Sequence, residues 1–397
     1  MLHPAPLRTR PSAAGLTPNW FAAVMGTGIV ATAGAGLPVH VPGLHTAASV
    51  VWLVAATLLV VLVGATVRHW THHRERARLH HLDPVMAHFY GAPPMALMTV
   101  GAGSLVFGPA LLGAEASLAI GWMLWTVGTV LGLASTVVVP VLRLTRHDRA
   151  APFAGWLMPV VPPVVSAATG ALLLPHVPVH RMAAFAALLV ALLAVGVVAT
   201  ALVLPAVCTS VVRDGVGPAA LVPTLWIVLG PLGQSTTAAN VLAGEAGLVV
   251  AAPRALELER AAVVYGLVAT ALALVWAAWA LLVTLRTARS GLPFGLPWWS
   301  FTFPVGTCVT GLSALAVRTG SPPLTAAAAL GFVVLVGAWG VVAARTLHGV
   351  LVARTLLVPP PVQVRAKRRT NADRIRLGAH TSLAAMRART SSSSPGS

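Results

Sequence analysis

The composition of this 397-residue chain excludes a soluble globular protein. Hydrophobic residues make up 57% of it and charged residues only 9%, against about 45–50% and 25% in a typical globular protein. So few polar residues cannot cover a water-facing surface, which indicates an integral membrane protein. A net charge of +17 would suggest nucleic acid in a soluble chain. Here the charges lie outside the apolar runs, so we expect no nucleic-acid partner.

Ten apolar runs are each long enough to cross a bilayer, which takes about 20 residues of helix. The predicted spans are Pro18–Gly36, Thr46–Val67, Met86–Phe107, Ser117–Leu142, Ala154–Leu174, Met182–Leu204, Val222–Leu242, Ala261–Leu285, Pro297–Val317 and Pro323–Ala344. We numbered them one to ten in chain order.

The basic residues predict how these spans are oriented. With the N-terminus inside, 22 of the Lys and Arg residues fall on the inner side of the membrane. The four on the outer side are Arg181, Arg254, Arg260 and Arg318. Because short cytoplasmic loops are enriched in Lys and Arg, we predict a multi-pass protein of the plasma membrane with both termini in the cytoplasm.

Helix breakers distinguish the odd-numbered spans from the even-numbered ones. Spans three, five, seven and nine contain interior prolines, whereas the prolines of the even spans, Pro140, Pro205 and Pro323, lie at or just past their ends. The odd spans recur every 68–75 residues, which is typical of a repeated helical hairpin. Backbone groups freed by proline belong against protein or water rather than lipid. We therefore predict an all-α membrane fold of ten helices in five hairpins, with the odd helices as an inner ring around a central pore. Ordinary close packing is the alternative, because glycine and proline are common in such helices.

The predicted pore is neutral, because all nine acidic residues lie in loops. Intramembrane carboxylates are the usual parts of proton relays and cation sites, so their absence from the spans argues against a proton-driven antiporter or a cation channel. Hydroxyls and helix breaks would favour weakly bound anions. Each hydroxyl has a structural alternative, a hydrogen bond to the preceding turn. The candidate lining residues are Thr27, Gly28, Pro94, Thr99, Ser166, Thr169, Pro231, Ser235, Thr302, Pro304 and Thr307.

Four stretches resemble the tellurite-resistance/dicarboxylate transporter family, which includes malate permeases, sulfite pumps and slow anion channels. They are residues 18–29 (PNWFAAVMGTGI), 88–97 (HFYGAPPMAL), 230–235 (GPLGQS) and 298–304 (WWSFTFP). Their order and the predicted helix count extend the resemblance over about residues 16–350. The resemblance implies transport of small anions, such as C4-dicarboxylates or sulfite- and tellurite-type oxyanions, by a homotrimer with one pore in each protomer. It also implies that a phenylalanine of span nine plugs the pore. Matching the WWSFTFP stretch places this gate at Phe303, with Phe301 as the fallback.

Histidines form two further candidate groups. His88 lies in the first turn of span three, where a protonated ring could attract anions; a hydrogen-bonded interfacial histidine is the alternative. The loop from Arg68 to His81 holds five other histidines. It mixes them with arginine and offers no suitable carboxylate, so we predict a solvated basic loop on anionic lipid rather than a metal site.

The sequence divides into three parts: a cytoplasmic segment at residues 1–15, a transport domain at 16–350, and a basic, Ser- and Pro-rich tail at 351–397 that we expect to be disordered. No nucleophile with its base can be assembled, so we predict neither an enzyme nor a cofactor. Two other functions remain open: a membrane subunit of a larger transport complex, and a polytopic membrane enzyme.

Overall fold

A computed structural model describes residues 15–145 and 151–357. All regular secondary structure in these residues is helical, which confirms the predicted all-α class. The α-helices are α1 (Phe21–Ala35), α2 (Leu44–His72), α3 (Arg74–His80), α4 (Ala92–Leu112), α5 (Ala114–Thr145), α6 (Pro162–Ala171), α7 (Val179–Asp214), α8 (Leu229–Gly244), α9 (Ala252–Arg289), α10 (Phe303–Thr319) and α11 (Pro322–Leu351). Of the predicted segment 1–15, residues 1–14 lie outside the described residues, as do residues 358–397 of the predicted tail 351–397.

The odd spans begin as 3-10 helix and continue as α-helix. Short 3-10 segments precede α1, α4, α6, α8 and α10, which we call the inner helices. Proline is within the first two residues of α4, α6 and α10, where its missing N–H would have no partner inside the helix anyway. The prolines predicted as interior breakers therefore mark where a new α-helix starts. The five segments are Pro18–Trp20, Met86–Gly91, Ala154–Leu157, Ala219–Val228 and Leu296–Phe301.

Seven helices of the described residues are long and apolar enough to cross a membrane. Five of them are α2, α5, α7, α9 and α11, which we call the outer helices, and two are the 3-10/α combinations of spans three and nine. In spans one, five and seven the α-helical part has only 15, 10 and 16 residues. The membrane-protein class is thus established, while the count of ten crossings stays a prediction.

Each inner helix packs against the outer helix that follows it in the sequence, which gives five hairpins. Among themselves the inner helices contact in the order α1, α4, α6, α8, α10 and back to α1, so they close a ring. The apolar windows of spans three and nine are 61% and 72% buried, against 17–33% for the outer helices. The exposed side chains of the outer helices are largely leucine and valine, as expected of a surface that faces lipid.

The outer helices extend further than the sequence predicts. The helix α2 continues to His72, α7 runs from Val179 to Asp214, and α9 starts at Ala252 instead of Ala261. Helical hydrogen bonds continue past the apolar runs into polar sequence. Pro140 and Pro205, which were predicted at or just past the ends of their spans, lie inside α5 and α7. Much of the predicted basic loop is accordingly helical, in the end of α2 and in α3.

Candidate anion passage

A cavity of about 530 Å³ lies inside the ring of inner helices. We call it the larger cavity. All five inner helices line it, on the side where these helices have their C-terminal ends, and its volume is in the range of small-ligand sites. Its polar lining residues are Thr32, Thr99, Thr169, Gln234, Thr237, Asn240, Glu245, Thr310, Ser313 and Arg318.

A second cavity lies at the N-terminal ends of the inner helices. We call it the smaller cavity. Its volume of about 20 Å³ leaves room for about one water molecule. Its lining is apolar apart from Ser300, and it includes Met25, Phe89 and Pro304. At this level the ring is too tightly packed for an oxyanion to pass.

Phe303 separates the two cavities. It lines both of them, and no other described residue does so. It is the first residue of α10, and only 3% of it is exposed. The fallback residue, Phe301, lies elsewhere: its ring packs edge-on against Trp226 and Trp298, with centroids 5.7 Å away in each case.

Two of the predicted hydroxyl residues line the larger cavity. Thr99 donates to the carbonyl of Met95 (2.7 Å) and Thr169 to that of Val165 (2.8 Å). Both bonds return to the preceding turn of the same helix, as the structural alternative anticipated. Among the predicted breaks, Pro304 lines the smaller cavity.

Three predicted hydroxyls contact the outer helices instead of the cavities. Thr27 accepts a hydrogen bond from Trp339 Nε1 (3.1 Å), and Ser235 accepts one from the Tyr265 hydroxyl (2.8 Å). Ser166 accepts one from Thr129 (3.1 Å). The inner helices are enclosed on all sides, so polar side chains on their outward faces serve to hold the outer helices.

The other predicted residues are packing residues of the ring. A methyl group at Gly28 would contact Thr99, and Thr302 lies against Gly26. Thr307 donates to Pro304 O (2.6 Å), and its backbone touches Gly233. Pro94 lies against the glycines of α5, and Pro231 is buried in the first turn of α8. None of these lines either cavity.

His88 is buried beside the 3-10 segment of span five. Its ring stacks on Trp156 (centroids 5.4 Å apart) and meets Phe153 edge-on (5.6 Å). It lines neither cavity, so its contacts match the interfacial-histidine alternative better than a pore residue.

The sequence reasoning missed most polar residues of the larger cavity. Gln234, Thr237, Val241 and Gly244 recur every three or four residues along α8 and so share one face. That periodicity is visible in the sequence but does not say which face is inward. Arg318, which we predicted on an outer loop, lies in the last turn of α10 and lines the cavity. Glu245, also assigned to a loop, caps α8 and lines the cavity too.

The histidine-rich region is a compact aromatic cluster. His69 is buried and stacks on His80, with centroids 5.4 Å apart, and His81 stacks on Tyr90 at 4.4 Å. Burial, with smaller contributions from the neighbouring His69 and His81, lowers the pKa of His80 from its ordinary 6.5 to about 4, while Asp83 opposes the shift. Among the described residues, no group of three or more His, Cys, Asp or Glu side chains is arranged to hold a metal ion.

Comparisons with known proteins agree with this arrangement. A profile of the voltage-dependent anion channel family matches residues 15–347. The chain is 25% identical to the sulfite efflux pump SSU1 of Arthroderma benhamiae, over 83% of this chain and 90% of that protein. It is also 25% identical to an uncharacterized transporter of Methanocaldococcus jannaschii, over 74% of this chain and 81% of that protein. The chain therefore belongs to the voltage-dependent anion channel family and transports anions across a membrane.

Proposed function

We propose that small anions cross the membrane through the ring of inner helices, and that Phe303 closes this passage in the state described. The position of Phe303 carries the proposal, because among the described residues it alone lines both the larger and the smaller cavity. A phenyl ring at this level blocks an ion without any charge. Opening the passage requires this ring to move and the tightly packed smaller cavity to widen.

Helix geometry supports an anionic cargo. All five inner helices begin around the smaller cavity, where each continues the 3-10 segment before it, so the positive ends of five helix dipoles lie on this side. The N-terminal end of a helix carries a partial positive charge and favours anions. In the part of the chain that the structure describes, no Lys or Arg lines the smaller cavity. Binding there is therefore weak, which suits rapid passage.

We propose oxyanions as the cargo, of the sulfite or tellurite type or small dicarboxylates such as malate. The similarity to sulfite efflux pumps over 90% of their length supports sulfite. A cavity of about 530 Å³ also accommodates a C4-dicarboxylate. We further propose that the chain is not an enzyme and acts without a cofactor.

The protein as proposed is a homotrimer in the plasma membrane, with one passage per protomer and both termini in the cytoplasm. The excess of Lys and Arg on one side supports the orientation. A subunit role in a larger transport complex is the alternative, and it would require a partner for activity.

Replacing Phe303 tests the passage. In planar bilayers containing purified protein, we expect Phe303→Ala to raise the anion current at least tenfold, because it removes the ring between the two cavities. Phe301→Ala is the matched control: it removes a ring from the same segment but away from both cavities, and should leave the current near that of the wild type. A rise for Phe301→Ala alone would move the gate to the fallback residue. No rise in either folded variant would contradict a phenylalanine gate.

A further inference from the structure

The smaller cavity is enclosed by bulky apolar side chains from all five odd spans. Met25 lies in α1, Met95 lies in α4, and Met158 lies in the turn before α6. Ile227 of span seven and Phe303 of span nine complete a set of five that we call the apolar collar. The space that the collar surrounds holds about one water molecule, so an oxyanion, which is larger, cannot pass while the collar keeps this shape.

Methionine supplies three of the five collar residues, although the whole chain has only nine methionines. Each of the three is at most 6% exposed. Methionine is unbranched and rotates about three side-chain bonds, so it changes rotamer more readily than a branched side chain. Its thioether has no hydrogen to donate to an anion. The three methionines therefore form an obstacle that does not bind an anion but is able to move aside.

Glycine brings the backbones around the collar into direct contact. A Cβ at Gly91 of span three would lie 2.9 Å from Cα of Pro159 in span five, and closer still to the carbonyl group of Met158. A Cβ at Gly26 of α1 would lie 2.7 Å from the ring of Trp299 in span nine. Moving the inner helices apart would break these contacts and leave voids, which protein interiors rarely contain. Side-chain motion is thus the less costly way to widen the collar.

Rotation of Phe303 alone leaves a barrier in place. The larger cavity, of about 530 Å³, lies on the other side of Phe303 and offers space for its ring. The three methionines and Ile227 would still surround the smaller cavity after such a rotation. A narrow apolar constriction excludes water and thereby stops ions. Two barriers consequently lie in series along the passage.

We propose that Met25, Met95 and Met158 form a second gate in series with Phe303. In the closed state their apolar side chains keep water out of the smaller cavity. The gate opens when these side chains change rotamer, while the inner helices stay in contact. The second gate presupposes the proposed passage, and it makes the three methionines, together with Phe303, the residues that control flow through it.

Glutamine substitutions test the second gate, because glutamine has nearly the length and shape of methionine but carries a polar amide. In planar bilayers, we expect Met25→Gln and Met158→Gln each to raise the anion current of Phe303→Ala at least threefold, since the amide admits water to the collar. With Phe303 in place, the same changes should raise the current less than twofold, because the phenyl ring still blocks the passage. Met98→Gln is the matched control. Met98 is buried in α4, lines neither cavity, and lies 3.0 Å from the Ser166 hydroxyl, a ready partner for the new amide.

Isoleucine substitutions test whether the side chains have to move. Isoleucine is apolar and similar in volume to methionine, but branching at Cβ restricts its rotamers. We expect Met25→Ile and Met158→Ile each to lower the current of Phe303→Ala at least threefold, and Met98→Ile to leave it within twofold. Size-exclusion chromatography checks that each variant is folded. Because Met25 and Met158 lie on different spans, either one provides the test if the other variant does not fold.

The possible results separate the second gate from the passage. If Phe303→Ala conducts and the glutamine and isoleucine variants at Met25 and Met158 leave its current unchanged, the second gate is wrong and the passage stands. Equal effects at Met98 would also contradict the second gate, since the change would then come from loosening of the fold. A large rise for Met25→Gln with Phe303 in place would support the collar and contradict the phenylalanine gate. No current from any folded variant would contradict the passage and the second gate together.

Discussion

At the scale of single residues, a threonine in this passage offers little positive charge to an anion. Thr32, Thr99 and Thr169 each direct the hydroxyl proton to a carbonyl of their own helix. What remains toward the cavity is an oxygen lone pair or a methyl group, and neither attracts an anion. Selectivity should therefore depend on the other polar residues that line the larger cavity, such as Gln234 and Arg318.

Protonation of the His80 ring opposes folding. Its folded-state pKa of about 4 lies below the ordinary 6.5, so between these pH values the unfolded chain binds a proton that the folded chain does not. The free energy of unfolding should consequently fall as the pH is lowered from about 6.5 toward 4. Above 6.5 the ring is neutral in both states and has no such effect.

A non-titrating substitution tests this dependence. We expect His80→Gln to make thermal unfolding less sensitive to pH between 6.5 and 5 than in the wild type. His72→Gln, at an exposed position in the last turn of α2, should keep the wild-type dependence. If the two variants lose pH sensitivity equally, the effect does not come from the buried ring of His80.

Residue type alone could not tell cavity residues from packing residues. Ser166 and Thr169 lie on the same short helix, yet Ser166 bonds to α5 and Thr169 lines the larger cavity. The inner helices are apolar and buried all around, so no polar stripe identifies the cavity side. Phe303 was assignable only because its neighbours resemble a known family.

At the scale of elements, proline and glycine determine how the inner helices are built. Proline starts three of the α-helices within a span, and this is why the sequence could predict breaks at those places. Glycine lets neighbouring inner helices approach: Gly233 of α8 faces the backbone of Thr307 in α10. The sequence shows where the glycines are but not which helix each of them contacts, because these contacts form only when the five hairpins close the ring.

The α8–α10 contact gives a prediction for Gly233. A Cβ there would lie 2.5 Å from the backbone of Thr307 and Cys308, and backbone cannot give way as a side chain can. We expect Gly233→Ala to reduce the free energy of unfolding by roughly 2 kcal/mol, measured as a lower unfolding temperature in detergent. Gly230→Ala, three residues earlier, meets nothing within 4 Å and should not lower the unfolding temperature. Similar losses for both would mean that α8 tolerates no added methyl anywhere.

At the scale of the whole molecule, five similar hairpins close one ring. Consecutive hairpins pack side by side, which the sequence repeat made predictable. The contact between α10 and α1 closes the ring. A closing contact of this kind is expected when five similar hairpins are arranged around one axis. The number of membrane crossings was harder to infer, since spans one, five and seven each consist of a 3-10 segment followed by a short α-helix.

The orientation of the protein in the membrane decides whether each cavity faces the cytoplasm or the cell exterior. The excess of Lys and Arg on the side of the helix N-termini predicts that the larger cavity, and with it Arg318, faces the cell exterior. Ser290 and Ala251 flank α9 at opposite ends and are both exposed. They give one test position on each side of the membrane.

Labelling of intact cells distinguishes the two orientations. In a background with Cys208→Ser and Cys308→Ser, which removes both natural cysteines, we expect a membrane-impermeant maleimide to label Ala251→Cys and to leave Ser290→Cys unlabelled until the cells are opened. The reverse pattern would place the larger cavity and Arg318 on the cytoplasmic side. Anions leaving the cell would then pass the larger cavity, with Arg318 in its lining, before they reach Phe303.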